Sequence, residues 1–297
     1  MYLSPFQLAA PQVRRPSSPA GVETLLEQGS GEFNEDVLLE HGNLYGVFDG
    51  ATSLDRRRFD GGVTGGLLAA RIAAESFLEE GASLHHLAGR ANEHIRIAEL
   101  NAGISLGERH KLWSTSMAVV RLDTDCFEYC QVGDAVILLL LRDGGYRFVT
   151  PEIDVDKQTL RLWKDSTNDP KLPVHKLLAD QIRDVRLQMN ISYGVLNGEP
   201  EALDFVNHGT HTLHNVSDIL LFTDGLLPPR EDPLEENDWS TLIALYKLGG
   251  LGSVREFVRR MQKSDQTLKR YPRFKMHDDI AAVAIKKYHL PQMAVVA

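Results

Sequence analysis

The chain has few cysteines and no long apolar run. Its two cysteines, Cys126 and Cys130, lie in a segment with a strand pattern. Four residues of strand span about 13 Å, whereas a disulfide needs Cα atoms within about 7 Å. Cysteines that cannot pair favour a reducing compartment, and we therefore expect a cytoplasmic protein. The longest purely apolar run, Ala135–Leu141, is too short to cross a bilayer, so we expect no membrane partner.

Basic residues are scarce relative to acidic ones, with 32 Lys and Arg against 41 Asp and Glu and a formal net charge of −9. A nucleic-acid partner would require a basic surface for the phosphates, so this balance argues against one. The sequence does not indicate an oligomeric state, and we assume a monomer.

The N-terminal segment has no basic region followed by an apolar run, so we expect no signal peptide. The 297 residues, 43% of them hydrophobic, are enough for one large domain with a sizeable core. We interpret residues 1–20 as an extended N-terminal arm, residues 21–290 as a single domain and residues 291–297 as a tail.

Apolar periodicity in the first half of the chain predicts an α+β fold. Helical spacing over Val63–Glu80 and Ser83–Asn101, separated by Gly81, predicts an antiparallel helix pair. Turn residues separate the short apolar runs around this pair, as in an antiparallel meander. The predicted strands are Val37–Leu39, Asn43–Phe48, Thr115–Leu122, Phe127–Val132, Ala135–Arg142 and Tyr146–Thr150.

The second half of the chain shows the same kinds of element in fewer places. Residues 151–190 are polar and mixed, and their pattern assigns no element. A strand at Asp218–Thr223 is followed by two helical patterns, Asp238–Leu248 and Ser253–Gln266, and by a last strand, Ile280–Ile285. The order of strands, helix pair, strands, helix pair and strand indicates helices packed on a predominantly antiparallel core.

Acidic residues stand at the ends of four apolar runs: Asn34-Glu35-Asp36, Asp49-Gly50, Asp224-Gly225 and Asp278-Asp279. Strand ends lie at the rim of a sheet, where the backbone can hold a site rigidly. At any one position, Asp and Gly can simply form a turn. A rim with several carboxylates repels itself unless cations are bound, and oxygen-only ligands select hard ions such as Mg²⁺ or Mn²⁺.

Five segments resemble, in order, the motifs of the metal-dependent Ser/Thr protein phosphatases of the 2C type. They are Asn34-Glu35-Asp36, Gly46-Val47-Phe48-Asp49-Gly50, Val132-Gly133-Asp134, Leu221-Phe222-Thr223-Asp224-Gly225 and Asp278-Asp279-Ile280. The resemblance extends from about Glu27 to Lys286. It implies a central antiparallel β-sandwich flanked by pairs of antiparallel helices, in agreement with the periodicity. It also implies a flap near the site, which we place within residues 151–198.

The resemblance implies two Mg²⁺ or Mn²⁺ ions, with a third ion in bacterial relatives. Asp49 would bridge two ions, and the carbonyl of Gly50 would bind one of them. Asp224 and Asp278 would complete the ligands of the first ion. Asp134 would bind the third ion together with Asp224.

The resemblance also implies hydrolysis by a metal-activated bridging water. Glu35 and Asp36 would hold metal-bound waters, and Asp36 would accept a proton from the attacking water. Asp36 and Asp49 are therefore the expected catalytic residues. Two cations would offset the charge of a dianionic phosphomonoester, lower the pKa of water and align it for in-line attack.

The chain departs from the family pattern at two positions. Gly31 stands where many relatives have an arginine that binds the substrate phosphate, and Ala51 stands where some have a histidine. Other residues near the metal loop could bind phosphate instead, although a solvated basic turn would explain the arginines equally well. The candidates are Arg56, Arg57, Arg58, Thr52 and Ser53.

The sequence therefore predicts a Mg²⁺- or Mn²⁺-dependent phosphatase that acts on phosphoserine or phosphothreonine in proteins. Two alternatives remain open at this point. One is a phosphatase for another small phosphoester, and the other is a catalytically weak relative that binds a phosphoprotein as a regulator.

Overall fold

The structure is a computed structural model that describes residues 21–52, 54, 57–166 and 174–287, apart from the side chain at position 60. The predicted arm at 1–20 and tail at 291–297 lie outside the described residues, as do Ser53 and Arg56. No helix in the described ranges is long and apolar enough to span a membrane.

The strands of the described residues form two five-stranded sheets in which all neighbours are antiparallel. The first sheet has the order β1-β10-β9-β6-β7, and the second has the order β2-β3-β4-β5-β8. The strands of the first sheet are β1 Val22–Glu27, β6 Val136–Leu141, β7 Tyr146–Phe148, β9 Val216–Phe222 and β10 Ile280–Lys286. Those of the second are β2 Asp36–His41, β3 Leu44–Gly50, β4 Thr115–Leu122, β5 Cys126–Val132 and β8 Asn207–Thr212.

The two sheets pack face to face because alternate residues of each strand point to opposite sides. Val47 and Val120 of one sheet meet Leu221 and Val283 of the other in a buried cluster between them. The neighbouring side chain of Phe48 points to the outer face and belongs to a different cluster. These central strands are therefore apolar on both sides.

Helices cover the outer faces of both sheets. The helices α1 and α2 pack on the second sheet, and α6 packs on the first. The side chains of Thr64 and Ser83 cap the N-termini of α1 and α2, each accepting a backbone N–H of the first turn. The α-helices are α1 Gly65–Ser76, α2 Leu84–Asn101, α3 Lys157–Asp165, α4 Val174–Leu177, α5 Ala179–Leu187 and α6 Trp239–Ser264. Short 3₁₀ turns lie at Asp60–Gly62, Arg109–Lys111, Pro200–Phe205 and Asp224–Leu226.

The α+β class and the antiparallel sandwich are confirmed, but several elements differ from the sequence prediction. Strands β1 and β8 were not predicted, and the unassigned stretch contains α3, α4 and α5. The two helices predicted at Asp238–Leu248 and Ser253–Gln266 are confirmed, because the run labelled α6 consists of two helical segments separated by non-helical backbone at Gly249 and Gly250. Gly250 has a φ of 70°, a conformation that favours glycine. The segment after the kink starts with Leu251, whose N–H donates to Glu23 Oε1 at 2.8 Å.

Candidate metal centre

Strand register brings the predicted acidic residues to one end of the sandwich. Asp36 and Asp49 are Cα partners across β2 and β3. Asp224 directly follows Thr223 at the end of β9, and Asp278 lies two residues before β10, which pairs with β9. The tight turn between β5 and β6, which connects the two sheets, adds the carboxylate of Asp134. Segments distant in sequence thus converge because their strands end at the same rim.

The converging side chains line a cavity of about 650 Å³. Predicted metal-site residues in its lining are Glu35, Asp49, Gly50, Asp134, Asp224 and Asp278. Asp36 is not part of this lining, since its side chain is buried beside the cavity and is 5% exposed. The structure therefore brings six of the seven predicted metal-site residues to one cavity and places the seventh behind its wall.

Threonine hydroxyls hold two of these carboxylates. Thr64 Oγ1 donates to Glu35 Oε1 at 2.6 Å, and Thr52 Oγ1 donates to Glu35 Oε2. Thr223 Oγ1 donates to Asp36 Oδ2 at 2.7 Å. Because Thr223 also accepts a hydrogen bond from the backbone of β10, it links Asp36 to the strand pair that carries Asp224. The carboxylates of Glu35 and Asp36 are thus oriented from more than one chain segment.

The carboxylate of Asp279 binds backbone groups behind the cavity, whereas its neighbour Asp278 lines the cavity. Asp279 is 3% exposed, and its two carboxylate oxygens accept the backbone N–H groups of Gly29 at 2.7 Å and Glu35 at 2.9 Å. A buried carboxylate with two charge-assisted hydrogen bonds fixes both backbone segments firmly. Asp279 therefore positions the Glu35 segment, whereas Asp278 faces the cavity.

The electrostatics of the cluster are those of crowded anions. Burial raises the pKa values of Asp36, Asp49 and Asp224 well above the usual aspartate value, and neighbouring carboxylates raise them further. The pKa of Asp134 is also raised by burial. Burial raises the pKa of Asp156, from the loop before α3, to about 7, with the charges of Asp134 and Asp154 adding to the effect. Bound cations would remove this repulsion, because they favour the ionised carboxylates.

A lysine ammonium group lies among the predicted ligands. Lys275 Nζ is 2.9 Å from Asp278 Oδ1 and 3.9 Å from Glu35 Oε2. Burial by itself lowers the pKa of Lys275, but the charge and hydrogen bond of Asp278 outweigh burial and raise it above the usual lysine value. The lysine therefore stays charged and offsets part of the negative charge of the cluster.

The donor set fits divalent cations that prefer oxygen, because it consists of carboxylates and the Gly50 backbone. In the described ranges, no group of three or more His, Cys, Asp and Glu side chains is arranged as a ready metal cage. Glu35 and Asp36 have threonine partners, and Asp278 has Lys275. A metal ion that binds these carboxylates would therefore have to compete with their threonine and lysine partners.

Close backbone approaches explain the glycines next to two of the aspartates. A Cβ atom at position 50 would lie 2.3 Å from the carbonyl oxygen of Gly66 and 2.8 Å from that of Glu35. At Gly225 it would lie 1.8 Å from the carbonyl oxygen of Asp279. Only a residue without a side chain fits at these two turns, which bring the strand ends and the start of α1 together.

The predicted phosphate-binding residues are placed differently from one another. Arg58 and Thr52 line the cavity, and Arg58 pairs with Glu32 at 2.6 Å. Arg57 lies outside the lining, with its guanidinium 3.5 Å from the carbonyl oxygen of Ala102. Ser53 and Arg56 are outside the described residues. The positions that depart from the family pattern, 31 and 51, both line the cavity.

Sequence reasoning missed several residues of the site. Three of them line the cavity, namely Thr64, Lys275 and Arg186. The other two lie behind it: Thr223 donates a hydrogen bond to Asp36, and Asp279 accepts the backbone N–H of Glu35. Arg186 comes from α5, in the stretch without assigned elements, and donates to the backbone carbonyl of Thr52. Two of the missed residues carried a local signal, since Thr64 has the N-cap position before α1 and Thr223 directly precedes Asp224.

Comparison with solved structures shows the fold of bacterial serine/threonine phosphatases. The catalytic domain of PstP, solved with two manganese ions, has a TM-score of 0.52 and 17% identity, covering 89% of this chain and 96% of that chain. Stp1 from Staphylococcus aureus has a TM-score of 0.55 and 13% identity over 90% and 94% of the two chains. PppA, a key regulatory component of T6SS in Pseudomonas aeruginosa, has a TM-score of 0.54 and 18% identity over 91% and 98% of the two chains.

Comparison at the level of sequence gives a family assignment. A search of curated proteins finds no match. The family model described as protein phosphatase 2C matches residues 27–269, a range that includes the acidic ends of β3 and β9 and the turn with Asp134. Since this match covers most of the chain, the chain belongs to the protein phosphatase 2C family.

Proposed function

We propose that this chain hydrolyses phosphoserine and phosphothreonine in proteins with two divalent cations, Mg²⁺ or Mn²⁺, bound at the acidic rim. The observation that carries the proposal is the convergence of Glu35, Asp49, Asp134, Asp224 and Asp278 on one cavity. The raised pKa values of the aspartates at this rim support cation binding there. Cations held there would supply charge neutralisation and an activated water at neutral pH.

Each predicted ligand has a proposed task. Asp49 would bridge the two ions, the Gly50 carbonyl would bind one of them, and Asp224 and Asp278 would complete its ligands. Asp134 is the candidate for a third ion. The convergence of these residues at one rim supports this assignment.

Glu35 and Asp36 would hold waters beside the ions, and Asp36 would accept the proton of the attacking water. The threonine hydroxyls on both carboxylates support fixed orientations for these tasks. The hydrogen bond from Thr223 to Asp36 stabilises the ionised carboxylate, which is the form that can accept a proton.

The substrate phosphate would meet Arg58 and Thr52, since both line the cavity. Arg58 would have to exchange its partner Glu32 for the phosphate, and both of these side chains are partly exposed. A cavity of about 650 Å³ can take up a phosphorylated side chain with part of its peptide. The free thiols of Cys126 and Cys130 support work in a reducing compartment such as the cytoplasm.

The test is phosphate release from a phosphothreonine peptide by the metal-stripped protein, with and without added Mn²⁺ or Mg²⁺. We expect release that depends on the ion and that Asp224→Asn abolishes. The matched control is Asp125→Asn, an exposed aspartate in the β4–β5 turn, which lies at the opposite end of β5 from the predicted ligand Asp134. This control should keep wild-type turnover.

Three results would refute the proposal in different ways. Absence of turnover in the wild type, with Mn²⁺ bound, would favour the phosphoprotein-binding regulator. Equal turnover in wild type and Asp224→Asn would place the reaction elsewhere. Hydrolysis of small phosphoesters with no release from phosphopeptides would favour the small-phosphoester alternative.

A further inference from the structure

We propose that Lys275 is a built-in counter-cation of the acidic rim, and that metal binding must displace its ammonium group from Asp278. This inference rests on the proposed function, because it concerns the same metal centre. No sequence motif singled out this lysine. The inference gives it the task of setting the affinity of the rim for metal ions.

The contacts of Lys275 carry the first step. Its Nζ lies 2.9 Å from Asp278 Oδ1 and 3.9 Å from Glu35 Oε2, so one ammonium group reaches two predicted metal-site carboxylates. The side chains of Lys275 and Glu35 are 25% and 6% exposed, whereas that of Asp278 is 37% exposed. The attraction between Lys275 and Glu35 is therefore screened less than that of an ion pair at the open surface, and the attraction to Asp278 is screened more than that to Glu35.

The backbone around Lys275 is fixed, so its position is a property of the fold. Arg273 Nε donates to the carbonyl oxygen of Met276 at 3.1 Å, and this bond closes the loop around Lys275. The carbonyl oxygen of Asp278 accepts a hydrogen bond from Arg259 at 2.7 Å. Both anchors are guanidinium groups that are mostly buried, with side-chain exposures of 12% and 8%. The loop therefore presents the lysine to the rim.

Arg58 shows a different arrangement at the same cavity. It is a lining residue like Lys275, but its guanidinium pairs at 2.6 Å with Glu32, which has no predicted role as a ligand. The charge of Lys275 is instead placed directly on Asp278. A divalent cation that takes Asp278 as a ligand must therefore compete with a covalently tethered monovalent one.

Two effects make this competition costly for the metal. The lysine occupies Oδ1 of Asp278, so that an ion has to share this carboxylate with it or take the oxygen from it, and its positive charge repels an ion bound to the same carboxylate. Removing the charge while keeping the shape of the stem should therefore tighten metal binding. It should also leave the metal-free rim with uncompensated carboxylates and a lower melting temperature.

The experiment is calorimetric titration of metal-stripped protein with Mn²⁺, together with thermal unfolding with and without the ion. Lys275→Met removes the charge, and Lys275→Gln does so while keeping a hydrogen-bond donor in case the first variant folds poorly. Lys275→Arg keeps the charge. The matched control is Lys111→Met, because Lys111 pairs with Glu108 at the same i,i+3 spacing on the surface, away from the rim.

We expect Lys275→Met and Lys275→Gln to bind Mn²⁺ about tenfold or more tightly than wild type, as loss of a nearby like charge requires. Both should gain more in melting temperature on adding Mn²⁺. Lys275→Arg and Lys111→Met should stay near wild type. Equal or weaker binding by both charge-removing variants would overturn the inference while leaving the metal centre intact. Absence of Mn²⁺ binding by wild type and all variants would instead refute the metal-dependent function itself.

Discussion

The carboxyl group of Glu99 is buried between α2 and the start of β4, and its ionisation should control part of the stability of the fold. Glu99 is fully buried, and its Oε1 accepts the backbone N–H of Trp113 at 2.6 Å. Its Oε2 has no hydrogen-bond partner among the described residues. Burial raises the pKa of Glu99 from 4.5 to about 8, although the Trp113 hydrogen bond acts in the opposite direction.

The direction of the pH dependence follows from this raised pKa. The contribution of Glu99 to the free energy of unfolding is fully present below pH 4.5, where its carboxyl group is protonated in both the folded and the unfolded chain. It is lost as the pH rises towards about 8, because the unfolded chain ionises there and the folded chain does not. The loss is about 1.4 kcal/mol per pH unit, so it amounts to about 3–4 kcal/mol between pH 5 and pH 8.

Glu99→Gln should remove this pH dependence, because the amide keeps an acceptor for Trp113 and does not titrate. Urea denaturation in EDTA, followed by circular dichroism from pH 5 to pH 8, gives the free energy of unfolding of both proteins. We expect the variant to gain about 3–4 kcal/mol on wild type over this range. The aspartates of the acidic rim titrate in both proteins, so their contribution cancels in the difference between the two free energies of unfolding.

A second glutamate of the same helix provides the control. Glu93 is exposed on α2, and Glu93→Gln should give a stability profile parallel to that of wild type. If the profile of Glu99→Gln is also parallel to wild type, the ionisation of Glu99 is not linked to folding and the reasoning is refuted.

Two further substitutions test the packing behind the acidic rim. Thr223→Val removes the hydroxyl that donates to Asp36 and should cost about 1–3 kcal/mol in urea denaturation, because it leaves a buried carboxylate oxygen without that donor. Thr223→Ser should recover most of that loss, and an equal loss in both variants would contradict this account. Gly225→Ala places a Cβ atom against the Asp279 carbonyl and should lower stability by about 2 kcal/mol or more. Gly252→Ala, where a Cβ atom meets nothing within 4 Å, should leave the melting temperature nearly unchanged, and an equal effect of both glycine variants would contradict the argument.

The acidic rim could be predicted because its residues are placed by local structure. An aspartate in the last two residues of a buried strand, such as Asp49, or within two residues after it, such as Asp224, lies at the rim of the sheet whatever the rest of the chain does. The same holds for the central strands, whose apolar runs are bounded by turn residues. The resemblance to the family then indicated that these strands end at the same rim.

The elements that escaped prediction have weaker local signals. Strands β1 and β8 are at the edges of their sheets, and β8 alternates between partly buried and exposed residues with little apolar character. An edge strand gains its conformation from hydrogen bonds to one neighbour, which a periodicity argument does not contain. By contrast, the two helical patterns predicted at 238–248 and 253–266 had a clear local signal, and the structure has non-helical backbone between them at Gly249 and Gly250, as expected of residues that usually end a helix.

The side-chain partners of the rim depend on contacts between distant parts of the chain. Thr223 and Asp36 are 187 residues apart, and Asp279 and Glu35 are 244 apart. Such pairs exist only because β9 and β10 end beside β2 and β3 at the same rim, so no local pattern could reveal them. Lys275 has a partner three residues away, but the surface pair of Lys111 and Glu108 has the same spacing. What distinguishes Lys275 is the fold around it, which places its ammonium group against Glu35 as well as Asp278 and so makes a common ion pair part of the proposed metal centre.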